Sequence, residues 1–172
     1  QSVPDYLARL QQPLGALRIG IPEQFFHDDL DPRVAACIDD ARKVFTKLGC
    51  RIVPISIPDM RSAEAAATHV IAAEAASLHG NWLRTRPADY SMQVRARLTR
   101  GLAVPAARYI DALRLRGELL GRFIAEVFDK VDVLHVPSLA IATPSLEESD
   151  VGGGPKMDRI LAQLTRLHRP FN

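Results

Sequence analysis

Five histidines, His27, His69, His79, His135 and His168, are the side chains best suited to moving protons or binding metal near neutral pH. No two of them stand four residues apart, the helical spacing zinc sites use, so no metal ligands are assigned. His135 falls in a predicted strand and reads as a core or edge residue with its hydrogen bonds met. Ser138 follows that strand, and α/β sheets hold ligands at the carboxyl ends of their strands. A nucleophile elbow needs glycine on both sides of its serine; Ser138 has none and is a candidate pocket wall rather than a nucleophile. The run Gly152-Gly153-Gly154-Pro155-Lys156 precedes a helix, as a phosphate cradle would. It lacks the P-loop spacing and its proline removes a donor, so it reads as a flexible loop. Asp39-Asp40 and Glu147-Glu148 read as solvated surface, with no carboxylate pair assigned to acid–base work.

Charge is unevenly spread. Arginines stand at 84, 86, 95, 97, 100, 108, 114, 116 and 122, against Asp89, Asp111 and Glu118. Such an excess can face an anionic partner or an acidic substrate; the plainer reading is a solvated face. Aromatic interleaving is nearly absent, so no nucleic-acid partner is expected. The net charge of +2 attracts neither nucleic acid nor membrane by itself. Cys37 and Cys50 have no metal or redox spacing and read as buried small hydrophobes, compatible with a reducing compartment. No uninterrupted apolar span or signal peptide is read, and the expectation is a cytoplasmic chain without a membrane partner.

The elements that must position these groups begin with a β-α-β unit over 17–58. Leu17 to Pro22 is a short apolar run closed by proline, suited to a buried strand. Asp31-Pro32 supplies an N-cap and a proline at the first helical position. Val34, Ile38, Ala41, Phe45 and Leu48 then recur at helical spacing, and Gly49 stands where a left-handed cap belongs. Cys50 to Pro58 is β-branched and reads as a second strand, parallel to the first through a right-handed crossover. Pro54 lacks an N–H, which places it at a sheet edge or past the last ladder bond.

A helical cover over 62–130 follows. Its first helix, 62–83, is alanine-rich, with Ala66, Val70, Ala73 and Ser77 as the close-packing stripe. Pro87 marks a break before a helix over 90–100. Pro105 opens what reads as the longest helix, with Tyr109, Ala112, Leu113, Leu120, Phe123, Ile124, Val127 and Phe128 inward. Val131 to Pro137 reads as a third strand, 140–154 as a mobile loop, and 157–167 as a last amphipathic helix, all within a third section, 131–172. The fold class is α/β: a small, mainly parallel sheet of about three strands beneath a large helical cover. A single domain over 1–172, or a portion of one, is expected.

The order of these segments resembles the amidase-signature hydrolases. Pro4-Asp5-Tyr6-Leu7 and Pro13 to Pro22 are similar to the stretch that follows the catalytic half of that family. Arg97 to Gly101, then Tyr109 to Leu113 and Arg116, resemble its arginine–glycine helix pair. Phe128 to Ser138 resembles its next core strand, with serine where the family commonly has threonine. Arg169-Pro170-Phe171-Asn172 resembles the start of a stretch that continues into Gly-Leu-Pro-Ala. The resemblance implies an amide C–N hydrolase within a larger α/β/α sandwich. Its catalytic lysine, bridging serine and nucleophilic serine would sit in a Ser/Gly-rich region that this sequence does not contain. Lys43, Lys47, Lys130 and Lys156 stand in no matching context, so no catalytic residue is carried over and no cofactor is implied. Arg97, and less directly Ser138 and Asn172, are carried over as substrate-pocket residues; for Arg97 a surface ion pair is the competing reading.

Three parallel strands alone leave open edges and apolar surface. The expected partners are therefore a small amide substrate in the full-length protein, and either a missing N-terminal catalytic half or a second copy. Gln1 in place of methionine fits a piece of a longer protein. The alternative is a non-catalytic α/β module that binds a ligand or protein through its arginine-bearing helices.

Overall fold

The computed structural model describes residues 3–10 and 13–171. In chain order the elements are α1 (Tyr6–Arg9), β1 (Arg18–Pro22), α2 (Pro32–Lys47), β2 (Arg51–Ile55), α3 (Met60–Thr85), α4 (Met92–Gly101), α5 (Ala106–Val127), β3 (Val133–Leu134), α6 (Leu146–Ser149) and α7 (Pro155–Thr165), with single 3₁₀ turns at Pro87–Asp89 and Arg169–Phe171. The sheet is parallel throughout, in the order β2-β1-β3. The chain is α/β, with a small parallel sheet under a helical cover.

The β-α-β unit forms as its local signals dictate. The Asp31 side chain accepts from the Arg33 N–H at 2.8 Å, capping α2 with Pro32 at the first position. Gly49 closes the helix at φ +87°, a conformation an L side chain resists. Pro54 stands in the ladder opposite Ile21, but β2 is an edge strand, so its missing N–H leaves no bond unmade inside the sheet. β1 is the central strand, with Ile19, Gly20 and Pro22 buried. β2 ends at Ile55 and β3 holds only two paired residues, both shorter than the sequence pattern implies. Pairing of β3 continues past its ends: the Asp132 N–H donates to the Arg18 carbonyl at 2.9 Å, and the His135 N–H to that of Gly20 at 3.0 Å. A bidentate contact between Arg18 and Asp132, at 2.7 Å, adds an ion pair to the same edge.

The main core lies under the sheet and is built by Phe26, Ile55, Met60, Val127, Val131 and Leu167, with Phe25 beside them. Phe25 and Phe26 meet edge to face at 5.1 Å. They sit in the loop after β1, where periodicity gives no signal, and Phe25 is turned inward at φ +68°. That loop is fastened on several sides. Glu23 N–H donates to the Ile55 carbonyl at 3.0 Å, Asp31 N–H to that of Ala140 at 2.8 Å, and the Arg166 guanidinium to that of Asp28 at 2.6 Å.

The cover departs from the sequence pattern in several places. The longest helix is α3, with 26 residues, not the helix after Pro105, which has 22. On α3 the buried stripe is Ala66, Ala67, Val70, Ala76 and Gly80, and Ser77 is exposed. Over 26 residues the 100° turn drifts off a strict four–three repeat. On α5 only Ala112, Leu119 and Val127 are buried; Leu113, Leu120, Ile124 and Phe128 are exposed among the described residues. The neighbouring helix α3 is too narrow to cover a stripe of that width. Cys37 points outward from α2, while Cys50 is buried as expected. The 140–154 segment contains α6, closed by a reciprocal capping box between Ser145 and Glu148. Gly152 and Gly153 lie against α4: a Cβ on Gly153 would come within 3.1 Å of that of Ala96. Among the described residues no helix is long and apolar enough to cross a membrane.

Candidate functional site

α3 and α4 are joined by a close approach. A Cβ on Gly101 would come within 2.1 Å of the Ala72 carbonyl oxygen, so only glycine lets the end of α4 lie on α3. This crossing opens a cleft between α3, α4 and α7 of about 590 Å³. Ile71, Ala75 and Leu161 line it with apolar surface, and Arg97, Arg100 and Arg169 bring cations to it.

Each cation has a different setting. Arg100 bonds Asp158 across the cleft and ties α4 to α7. Arg169 is half-buried; its guanidinium donates to Thr68 Oγ1 at 3.2 Å and lies 3.9 Å from Glu64. Burial pushes the Arg169 pKa down, Glu64 draws it up, and the positive charge of Arg97 pushes it down again. Arginine stays protonated through this, so the effect is an unmet demand for negative charge rather than a lost proton. Arg97 is exposed and has no acidic partner among the described residues. A surface ion pair, the competing reading for Arg97, is therefore not formed among them. The two guanidinium groups can hold a carboxylate, or polarise a carbonyl oxygen, through directed N–H donors.

The three sequence-derived pocket residues are not gathered together. Arg97 lines the cleft. Ser138 is exposed after Pro137, beyond β3, and is not among the cleft's lining residues. Asn172 lies outside the described residues. Sequence reasoning misses Arg169 and Thr68 as site residues. Arg169 sits in a terminal turn with no periodic signal, and only its burial beside Arg97 reveals it. Among the described residues no group of three or more His, Cys, Asp and Glu is placed to hold a metal ion.

A second polar cluster lies under α2. His27 Nε2 and Arg42 Nη2 are 3.1 Å apart, and because arginine only donates, this histidine nitrogen must accept. Arg42 also donates to Asp39 at 3.0 Å. His135 packs edge to face on Phe45 at 5.2 Å, its Nδ1 buried without a hydrogen-bond partner. Burial, then the charge of Arg42, pushes the pKa of both histidines down.

The chain is thus an α/β scaffold with an arginine-lined cleft in its helical cover. The family model described as Amidase matches residues 1–172, and the chain belongs to the amidase family. It is 31% identical over 168 residues to an amidase from Pseudomonas putida, covering 97% of this chain and 36% of that protein. It is also 31% identical over 159 residues to a glutamyl-tRNA(Gln) amidotransferase subunit from Chromohalobacter salexigens, covering 79% of this chain and 33% of the relative. Among solved structures it is similar to a chain from a vestigial protein complex bearing on the evolutionary origins of an s-triazine catabolic enzyme. That match has a TM-score of 0.68 at 30% identity, over 90% of this chain and 35% of the other. A crystal structure of an amidase shares the fold, with a TM-score of 0.71 at 23% identity, over 91% of this chain and 37% of the other. The chain thus spans about a third of the length of the relatives it matches.

Proposed function

We propose that this chain supplies scaffold and one wall of the substrate pocket of an amide C–N hydrolase, and that it does not turn over substrate alone. The observation that carries this reading is the cleft between α3, α4 and α7, where Arg97 has no acidic partner among the described residues and Arg169 is half-buried beside it. In this reading Arg97 orients a small amide by donating to its carbonyl or to a carboxylate elsewhere in the substrate. Thr68 and Glu64 hold Arg169 in place behind it. Ser138 and Asn172 belong to the same pocket wall only when the remaining part of the fold is present. The groups that attack the amide carbonyl, and the N–H donors that hold its oxyanion, come from a catalytic half outside this chain.

The test is ammonia release from a panel of small amides by the purified chain, alongside ligand titration followed by arginine side-chain NMR. No turnover is expected, with saturable shifts at Arg97 and Arg169 on adding a carboxylate-bearing amide and loss of the Arg169 shifts in Arg97→Ala. Turnover that disappears in Ser138→Ala would instead make the chain a self-contained hydrolase. Arg169 shifts unchanged by Arg97→Ala would remove Arg97 from the pocket.

A further inference from the structure

The far end of the helical cover carries a charge that the cleft does not use. Residues 77–95, which form the end of α3 and the start of α4, contain three arginines, Arg84, Arg86 and Arg95, and one acidic residue, Asp89, a net charge of +2. Arg86 has an acidic partner, Asp89, at 3.5 Å. Arg84 and Arg95 have none among the described residues. The Arg86–Asp89 pair is itself more than half exposed on both sides, the kind of contact that contributes little and exchanges readily.

Apolar side chains stand on the same structure. Leu78 is 71% exposed and Trp82 43% exposed, one turn apart on one face of α3, and Arg86 stands just past the end of the helix. The same face begins with Ile71 and Ala75 inside the cleft, so the spacing 71, 75, 78, 82 runs out of the cleft along the helix. Trp82 is braced rather than loose. The His79 ring lies 5.6 Å from it and the Arg86 guanidinium 5.7 Å over its ring. His79 is in turn hydrogen-bonded to the Tyr90 hydroxyl at 3.0 Å, which ties the tip of α3 to the start of α4. A fixed tryptophan beside an arginine is the composition of a binding hot spot, with little ordering entropy left to lose.

Charge decides what can cover it. A second copy would bring +2 against +2. A nucleic-acid strand would need successive aromatic platforms, and here one exposed ring already has a guanidinium over it. We propose that the Leu78–Trp82 face of α3, with Arg86 stacked on it from the helix end, is a docking surface for an acidic amphipathic helix of a partner protein. Its apolar side chains lie on Leu78 and Trp82, and its carboxylates replace Asp89 on Arg86 and meet the unpaired arginines of the tip. This is recognition of a helix by an apolar face with a charged rim. It is independent of the amide pocket.

Trp82 is the chain's single tryptophan and reports on its own face. The experiment titrates the chain with a synthetic amphipathic peptide of about four helical turns built from Leu and Glu, its Leu/Lys counterpart and a single-stranded DNA of similar contour length, following Trp82 emission. Saturable blue-shifted emission with the Leu/Glu peptide is expected, weakened about tenfold by Leu78→Ala and by Arg86→Ala, and weakened further by salt. Far-UV circular dichroism checks that both variants keep their helix content. Amide binding at Arg97 is measured in the same variants and is expected to be unchanged. The proposal is overturned by no emission change with the Leu/Glu peptide, by equal binding of the Leu/Lys peptide, by tighter binding of the DNA, or by full affinity in both variants.

Discussion

The β-α-β unit and the helical cover solve the same problem with different side chains. In the first, α2 lies over the sheet with no residue fully buried, and strand register carries the order. In the second, α3 holds α4 and α5 through alanine and glycine, so backbones approach until little space is left. The sheet unit tolerates small adjustments because its contacts end in flexible side chains. The cover is set by backbone against backbone, and an added atom there has nowhere to go.

Four outcomes break or sharpen this comparison. Gly101→Ala is expected to be the most damaging, about 4 kcal/mol, above the usual overpacking cost of roughly 1–3, because the obstruction is the Ala72 carbonyl. Urea unfolding measures it, and a loss smaller than that of Gly20→Ala in the sheet would reverse the ranking. Leu119→Ala is expected to cost about 3 kcal/mol, since Leu119 is 5% exposed, while Leu120→Ala next to it costs about 0.5 or less. Equal losses at the two positions would mean that α5 is covered on both sides in solution. Gly20→Ala is expected to cost about 1.5 kcal/mol: its Cβ would meet Leu134 and Val131 at 2.9 Å, but only at the ends of their side chains.

The smallest effect is a pH dependence centred on His27. Its folded pKa lies below the ordinary 6.5, so between the two values the unfolded chain binds more protons and stability rises with pH. The contribution is therefore complete above about pH 6.5 and is lost as the pH falls toward the folded value, where a protonated His27 can no longer accept from Arg42. Melting temperature against pH should decline below about 6.5, and His27→Gln, which keeps an acceptor, should make the slope shallower, leaving the share that His135 carries. An unchanged slope would place the acid sensitivity elsewhere.

The two regions also differ in how far the sequence can be read. Asp31-Pro32 and Gly49 announce the ends of α2 by local chemistry, and the strands flanking it follow from β-branched runs. The α5 stripe is narrower than its pattern because periodicity says which face is apolar, not how wide its neighbour is. The α3 stripe slips between Val70 and Ala76 because contact with α4 is chosen by Gly101, a residue far along the chain. Arg97 is singled out through the resemblance, but Arg169 is not, since its place in the cleft depends on a helix crossing that no one-dimensional pattern contains. Phe25 and Phe26 escape notice for a related reason: they enter the core from a loop, by a backbone turn rather than by spacing.

That loop reaches further than its length suggests. It grips the end of one strand through Ile55, the segment after another through Ala140, and the tail of α7 through Arg166. α7 is one jaw of the arginine-lined opening, yet it is hinged to the sheet by a connector that contributes nothing to the opening itself. That jaw is thus moored twice, to the core behind it through Asp28 and to α4 across the mouth through Asp158.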